Sequence, residues 1–253
     1  MDIVVCVKRV PETSEADVVI NREGRGIEAS GLVFDINEWD KYAVEEAVLL
    51  KEKHGGSVTV VTVGPEAAED TLRRCFATGA DNAVRLTEVS SDLDAAAIAR
   101  ALYGVVKDLS FDLLLTGVQA SDDGGGQVGP VLAELLGVPH ATLVTGIDVL
   151  EGKVRVLREL ESGLGEVVEV PLPAVLTIQT GINEPRYVSI MGVRKASKKE
   201  IEMREISPEV GVMTRLERLF LPPVTRQAEI LEGSPDEVAE RLAQILKDKA
   251  GLS

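Results

Sequence analysis

The chain has 253 residues, of which 42 are acidic and 27 basic, so its formal net charge at pH 7 is −15. A charge this negative argues against nucleic-acid binding and against contact with an anionic membrane, because both need basic side chains. Apolar residues make up 45% of the chain, enough for a buried core. No apolar run approaches the roughly 18 residues that a membrane helix needs. The apolar run that begins at once after Met1 leaves no room for a targeting peptide, so we expect a soluble, cytoplasmic α/β protein without membrane insertion.

The first half of the chain alternates buried strands with helices. Short apolar runs rich in β-branched residues, typical of strands buried on both faces, occur at 2–7, 57–63, 83–86 and 111–116. Helical spacing and helix-ending residues predict helices at about 38–54, 65–79, 92–107 and 128–136. Asn37 is predicted to cap the first of these helices with its side chain. This alternation predicts a doubly wound, mostly parallel, Rossmann-like sheet.

Two hairpins are expected to interrupt this alternation. Apolar runs at 18–20 and 32–35 flank one glycine-containing turn, and runs at 147–150 and 153–157 flank Gly152. Glycine between two strand-like runs is typical of a hairpin turn. Further strands are predicted at 165–170 and 174–179.

The last part of the chain has the pattern of an arm. Residues 183–205 show no regular period and include a basic run, and Pro222-Pro223 interrupts the chain again. An amphipathic helix follows at about 235–249, and a tail of this size is too small to fold alone. We therefore expect it to pack on its own domain or on a partner.

The loop at 116–130 (TGVQASDDGGGQVGP) is the part of the chain most typical of a ligand site. It joins the carboxyl end of a buried strand to a helix, where open α/β sheets bind ligands. Three successive glycines allow close backbone approach, and the unpaired N–H groups of the helix favour an anion, most naturally a phosphate. Asp122 and Asp123 would repel a phosphate that they faced, so we expect them to cap the helix or to bind a ribose hydroxyl. A flexible surface loop is the alternative.

Motifs of hydrolases and metal sites are missing. The loop lacks the Gly-Lys-Ser/Thr of a Walker loop, and no Gly-x-Gly-x-x-Gly follows the first strand. Cys6 and Cys75 lie in apolar surroundings and are expected to be buried, inert thiols. His54 and His140 have no neighbouring carboxylate or serine pattern, and no serine lies in a nucleophile elbow. The sequence predicts no metal site and no catalytic residues.

Several short motifs occur in a fixed order along nearly the whole chain. They are VCVKRVP at 5–11, AVEEA at 43–47, VGP at 63–65, ATGAD at 77–81, LPAV at 172–175 and NEPRY at 183–187. The most specific are GVQASDD at 117–123 and QVGP at 127–130. In this combination the sequence resembles the β subunits of electron transfer flavoproteins, including the relatives associated with nitrogen fixation.

The resemblance implies a subunit of a heterodimeric electron carrier rather than a stand-alone enzyme. In that family a larger α subunit carries the redox-active FAD, part of which lies near the β subunit. The β subunit holds an adenine nucleotide, which is AMP in the simple carriers and a second FAD in the electron-bifurcating branch. The implied partners are the α subunit, flavin dehydrogenases such as acyl-CoA dehydrogenases, and a quinone reductase or another acceptor. A subunit of a bifurcating enzyme and a nucleotide-sensing module without redox partners stay open as alternatives.

The resemblance also assigns residues to the nucleotide site. The adenine side comprises Cys6, Val7, Lys8, Asn37 and Val63. The phosphate side comprises Gln119, Asp122, Gly124, Gly125, Gly126, Gln127 and Val128. Asp122-Asp123 resembles the AMP-binding carriers, whereas Val128-Gly129-Pro130 resembles the bifurcating branch, so the choice between AMP and FAD stays open.

Partner contacts are assigned to Glu159, Ile190 and Met191. In the family, the counterpart of Glu159 pairs with an arginine of the α subunit. The counterpart of Ile190 is the apolar anchor of a recognition loop that docks on dehydrogenases, and Met191 lies beside it. The resemblance therefore divides the chain into an adenine-nucleotide-binding domain at 1–190, which includes the hairpins, and a part at 191–253. The second part comprises the end of the recognition loop and a C-terminal arm that packs on the α subunit.

Overall fold

The structure, a computed structural model, describes residues 1–14, 16–87, 93–206, 211–223 and 230–250. Its strands are β1 Asp2–Cys6, β2 Arg9–Pro11, β3 Phe34–Ile36, β4 Ser57–Gly64, β5 Asn82–Thr87, β6 Leu113–Gly117, β7 His140–Leu150, β8 Lys153–Glu159, β9 Gly165–Pro171, β10 Ala174–Ile178 and β11 Glu202–Glu205. Its helices are α1 Glu38–His54, α2 Glu69–Thr78, α3 Ala95–Val106, α4 Val128–Leu136, α5 Ile190–Ala196 and α6 Pro235–Ala250. Short 3₁₀ helices occur at Glu66–Ala68 and Glu161–Gly163.

Nine strands of the described chain form one sheet, in the order β11-β5-β4-β1-β6-β10-β7-β8-β9. Neighbours are parallel from β11 through β7, whereas β7, β8 and β9 are antiparallel. The strand order reverses at β1, because β4 lies on one side of it and β6 on the other. The carboxyl ends of β1 and β6 therefore meet at a topological switch point. The predicted doubly wound, mostly parallel sheet is confirmed.

Helices cover both faces of the sheet. Side chains of a strand point alternately to its two faces, so Ile3 and Val5 pack with α1 and α2, whereas Val4 and Cys6 pack with α3 and α4. Burial on both faces explains why the central strands are continuous apolar runs in the sequence rather than alternating ones.

The structure corrects the first predicted hairpin and confirms the second. β2 pairs antiparallel with β3, and Ile20 forms only an isolated bridge to Ile27. The reason is burial, since Val10 of β2 is 2% exposed, whereas Val19 of the predicted strand is 55% exposed. β7 and β8 form the second hairpin, with Gly152 at φ +69° in its turn. The predicted start of the third helix, at Asp92, lies outside the described residues.

The chain divides into two compact units, Met1–Glu217 and Arg218–Ser253. The first contains the sheet with α1 to α5, and the second contains α6 as predicted. This boundary differs from the sequence-based division at residue 190, because β11 pairs with β5 and joins the preceding residues to the sheet. Within the described ranges, no helix is both long and apolar enough to cross a membrane.

Candidate functional site

A cavity of about 350 Å³ opens at the carboxyl ends of β1, β4 and β6. It lies at the switch point of the sheet, where open α/β folds bind ligands, and its volume falls in the range of about 300–1,000 Å³ typical of small-molecule sites. Apolar side chains of Val63, Leu93, Ile98 and Leu102 contribute to its lining. The glycine-rich loop between β6 and α4 contributes the polar part, so the cavity combines an apolar surface with backbone donors.

The residues that the resemblance assigned to a nucleotide come together here. Apart from Gly124, all of them line the cavity, namely Cys6, Val7, Lys8, Asn37, Val63, Gln119, Asp122, Gly125, Gly126, Gln127 and Val128. Gly124 lies in the same loop, where its amide donates to the Ala120 carbonyl at 2.8 Å. The fold thus gathers segments that are far apart in sequence, while their contact with a nucleotide stays a prediction.

The loop between β6 and α4 has a backbone that requires glycine. Gly124 and Gly126 have φ angles of +59° and +60°, in the left-handed region that other residues rarely adopt. The Gly125 amide donates to Asp123 Oδ1 at 2.8 Å and stabilises the turn. Gln127 and Val128 bring the start of α4 to the cavity. Because the first N–H groups of a helix have no intrahelical acceptor, they would stabilise an anion bound there.

Lys8 is bound by two carboxylates of this loop. Its Nζ lies 2.7 Å from Asp122 Oδ1 and 2.8 Å from Asp123 Oδ2. Burial lowers the pKa of the Lys8 ammonium, but the bonds to Asp122 and Asp123 outweigh burial and raise the pKa above its ordinary value. Burial likewise raises the pKa of Asp123, whereas the bonds from Lys8 and the Gly125 amide leave that pKa below its ordinary value. We expected these carboxylates to cap a helix or bind a ribose, and in the structure their partner is Lys8.

A buried carboxylate that the sequence analysis did not single out connects two strand ends. Asp40 of α1 is 5% exposed and accepts the N–H of Lys8 at 2.7 Å and of Gly117 at 3.0 Å. Burial raises the pKa of the Asp40 carboxyl to about 7, although both N–H donors favour the charged form. A side chain at Gly117 would overlap this carboxylate. One feature of the sequence could have indicated that Asp40 is buried. It lies in the first turn of a predicted helix, shortly before the apolar positions of that helix that begin at Ala43.

Asn37 precedes α1, but its side chain does not cap the helix as predicted. Its Nδ2 donates to the Gln119 carbonyl at 2.8 Å, and its Oδ1 accepts the Ser121 N–H at 3.1 Å. Because the Asn37 side chain is hydrogen-bonded to the glycine-rich loop, it does not cap the first N–H groups of α1. Because Asn37 is 1% exposed, these shielded bonds fix the start of the loop on α1.

Glu159 ends β8 and does not line the cavity. Gln179 donates from Nε2 to the Glu159 carboxylate at 3.1 Å and accepts from Trp39 Nε1 at 2.9 Å. Trp39 is the neighbour of Asp40, so this exposed carboxylate is connected to the first turn of α1. Its contact with a partner arginine stays a prediction.

Residues 183–201, named here the α5 segment, present apolar side chains to solvent. We predicted no regular structure here, but Ile190–Ala196 is helical, and the Ser189 hydroxyl caps it by accepting the Gly192 N–H at 3.1 Å. Tyr187, Ile190 and Met191 are 89%, 75% and 80% exposed. Neighbouring exposed apolar side chains of this size often mark a contact surface.

Both ends of the α5 segment are bonded to the helices beneath it. Arg186 pairs with Glu45 and Glu52 of α1. Arg73 of α2 donates to the Ser197 carbonyl at 2.9 Å, just beyond α5. The exposed side chains therefore lie on a fixed element rather than on a loose loop.

Both cysteines are buried free thiols, as predicted. Burial raises the pKa of the Cys6 thiol to about 12 and raises the pKa of the Cys75 thiol as well. Thiols that stay protonated are poor nucleophiles. In the part of the chain that the structure describes, no group of three or more His, Cys, Asp or Glu side chains is placed to hold a metal ion.

A doubly wound sheet with a cavity at its switch point and a glycine-rich loop before a helix defines an open α/β protein with the architecture of a ligand site. The family model described as the electron transfer flavoprotein domain matches residues 26–209. The chain belongs to the electron transfer flavoprotein β-subunit family, as the sequence motifs predicted. Membership supports the role of a flavoprotein β subunit in electron transfer, which has an α subunit as its partner and a flavin-related cofactor.

Curated relatives match over almost the full length of the chain. The electron transfer flavoprotein subunit beta of Bacillus subtilis is 40% identical over 259 residues, covering 99% of both chains. Its counterpart in Methylophilus methylotrophus is 37% identical over 265 residues, covering 99% of this chain and all of the relative. The caffeyl-CoA reductase-Etf complex subunit CarD of Acetobacterium woodii is 36% identical over 262 residues, covering 98% of this chain and 99% of the relative.

Proposed function

We propose that this chain forms a heterodimeric electron carrier with an α subunit that holds the redox-active FAD, and that its own cavity binds AMP. The observation that carries the proposal is the cavity at the ends of β1, β4 and β6, where the fold gathers the residues expected around a nucleotide. FAD would supply the redox chemistry, and AMP would have a structural role. Residues of this chain would bind the nucleotide and orient the loop around it.

The chemistry of the cavity fits an adenine nucleotide. Val63, Leu93 and Ile98 offer apolar surface for a purine. The N–H groups at Gln127 and Val128 offer donors for a phosphate. Asp40 and Asn37 hold the surrounding backbone through buried hydrogen bonds. The purine and the phosphate of the nucleotide thus each have a matching part of the lining.

We place the contacts with redox partners on the α5 segment. Flavin dehydrogenases such as acyl-CoA dehydrogenases would deliver electrons, and a quinone reductase or another acceptor would receive them. The exposure of Ile190 and Met191 supports an apolar anchor at a small interface. Glu159, exposed at the end of β8, would pair with an arginine of the α subunit. The cytoplasmic location also stays a prediction.

We assign the C-terminal arm to contact with the α subunit. The arm exposes large apolar side chains at Phe220 and Leu221, and α6 exposes Leu242 and Leu246 on one face. A second unit that comprises only residues 218–253 has little chain with which to bury such side chains. An interface with the larger subunit would remove them from water.

A second candidate is a subunit of an electron-bifurcating flavoprotein, with a second FAD in this cavity. The start of α4, Val128-Gly129-Pro130, favours it because this motif resembles the bifurcating branch. Asp122-Asp123, which resembles the AMP-binding carriers and is bound to Lys8, favours AMP.

Counting the nucleotides of the purified complex decides between the two candidates. The full chain would be co-expressed with its α subunit, and the released nucleotides would be identified by mass spectrometry. We expect one FAD and one AMP for each heterodimer. Two FAD and no AMP would establish the bifurcating type, whereas a chain that pairs with no α subunit would contradict both.

A further inference from the structure

The charges around the cavity bear on the number of phosphates it accepts. Its charged lining residues are Lys8, Arg9, Asp40, Asp122 and Asp123. Lys8 is bound by both loop carboxylates, and the Arg9 guanidinium lies over the Phe34 ring, 3.7 Å from its centroid. Among the described residues of the lining, each cation thus already has a partner.

The two loop carboxylates that line the cavity are partly exposed to solvent. The side chains of Asp122 and Asp123 are 30% and 57% exposed. They directly precede the glycines that lead to the start of α4, where a phosphate would find N–H donors. A ligand that continued past its first phosphate towards solvent would therefore bring further negative charge close to these carboxylates.

The combined charge of Lys8, Asp122 and Asp123 is unfavourable for a second phosphate. Lys8 contributes one positive charge and the two aspartates contribute two negative ones, so the cluster carries a formal charge of −1. A phosphomonoester at pH 7 carries a charge of about −1.5 to −2. One such group can be stabilised by the helix N–H groups and by Lys8, but a second would face two carboxylates that already share the only ammonium in the cluster.

We propose that Lys8, Asp122 and Asp123 together determine specificity for a nucleoside monophosphate over the corresponding di- and triphosphates. The inference rests on the proposed function, in which the cavity binds an adenine nucleotide. The aspartates compete with any added phosphate for Lys8 and repel that phosphate directly. Lys8 reduces the repulsion that the first phosphate meets, because it lowers the negative charge of the cluster from −2 to −1.

The test measures binding of adenosine, AMP and ADP by calorimetry to the full chain in complex with its α subunit, after removal of endogenous nucleotide. We expect the wild-type protein to bind AMP at least about tenfold more tightly than ADP. The variant Asp122→Asn/Asp123→Asn should bind ADP more tightly, so that its preference for AMP over ADP is about tenfold smaller than that of the wild type. Because adenosine carries no phosphate, a change in its affinity measures contacts of these residues with the nucleoside, and the AMP and ADP affinities of each protein are compared relative to it. Asparagine at position 123 retains the Oδ1 that accepts the Gly125 amide.

A matched variant controls for total charge. Asp108→Asn/Asp148→Asn removes the same number of charges at exposed positions outside the cavity and should keep the wild-type preference for AMP. A second test variant, Lys8→Gln, leaves two carboxylates without their cation and should weaken ADP binding more than AMP binding.

Equal affinities of the wild-type protein for AMP and ADP would overturn the specificity proposal. An unchanged preference in the aspartate variant, or an equal change in the charge control, would overturn it too. Failure to bind adenosine, AMP and ADP alike would instead contradict the proposed nucleotide site.

Discussion

Arg186 holds the Glu45 carboxylate of α1 in a two-pronged ion pair. Its Nε lies 3.0 Å from Glu45 Oε2, and its Nη2 lies 3.0 Å from Glu45 Oε1. Nη1 lies 2.9 Å from Glu52 Oε1. The Glu45 side chain is only 4% exposed, so its charge depends on this arginine for compensation. Because Tyr187 follows directly, the ion pair also fixes the start of the exposed part of the α5 segment.

Replacing Arg186 with alanine should lower the free energy of unfolding by about 3 kcal/mol, because Glu45 is left as a buried, uncompensated charge. Arg186→Lys should cost less, since lysine keeps the charge but lacks the planar fork. Urea unfolding measures the free energy of unfolding of both variants. The control is Lys153→Ala, which breaks an exposed pair with Glu169 and should cost less than about 1 kcal/mol. Equal losses in the two alanine variants would show that Arg186 is not a structural clamp.

Asp40 should make stability depend on pH. Its pKa is raised to about 7 in the folded protein, against about 3.9 in an unfolded chain. Between these values the folded state binds more protons, so the contribution of Asp40 to stability falls as pH rises from about 4 to 7. In the wild-type protein this dependence should lower the free energy of unfolding by a few kcal/mol across this window. The variant Asp40→Asn should lack this decrease. Urea unfolding at each pH measures the free energy of unfolding of both proteins. Parallel pH profiles for the two proteins would contradict the prediction.

Gly126→Ala should reduce nucleotide occupancy. Alanine at a φ of +60° is strained by about 1–2 kcal/mol, so the loop should move away from the conformation that exposes the helix N–H groups. Gly104→Ala is the matched control, because this exposed α3 position has free space around it. The control should bind nucleotide normally and gain about 0.5–1 kcal/mol of stability. Normal nucleotide content in Gly126→Ala, assayed after denaturing the complex, would remove this loop from the site.

Ile190→Ala should slow electron transfer from the partner dehydrogenase. Losing an apolar anchor that contributes roughly 1.5–3 kcal/mol would weaken the complex about tenfold or more. The defect should appear at sub-saturating dehydrogenase and disappear at saturation, with flavin and nucleotide content unchanged. Val33→Ala truncates another exposed apolar side chain, 68% exposed against 75% for Ile190, and should not slow transfer. Equal rates for Ile190→Ala and the wild type would show that Ile190 is not the anchor.

Truncation after Leu221 should impair pairing with the α subunit more than it impairs folding. The first compact unit ends at Glu217, and the sheet with its covering helices lies entirely within it. Thermal unfolding of the truncated chain should therefore remain cooperative, while its co-purification with the α subunit should decrease. A truncated chain that pairs as tightly as the full one would exclude the arm from the interface.

The layout of the sheet could be predicted from the sequence because its signals are local. Strands β1, β4 and β6 are continuous apolar runs, and the glycine-rich loop lies directly between β6 and α4. The contacts that shape the cavity are not local, since Lys8 and Asp122 lie 114 positions apart and Lys8 and Asp40 lie 32 apart. A periodic pattern in the sequence does not predict contacts between residues so far apart along the chain. The helix α5 was missed because a seven-residue helix with exposed apolar side chains shows no amphipathic stripe.

The α5 segment leads from β10 to β11, and these strands lie on opposite sides of β6, β1, β4 and β5. Each of its ends continues into a parallel strand of the same sheet, and each is bonded to a helix on one face. The conformational entropy of this crossing is therefore lost when the chain folds, and little would remain to be lost on the partner binding that we propose. Under the proposed docking of partners on this segment, substitutions at its exposed positions would alter which protein binds there while the sheet beneath keeps its register.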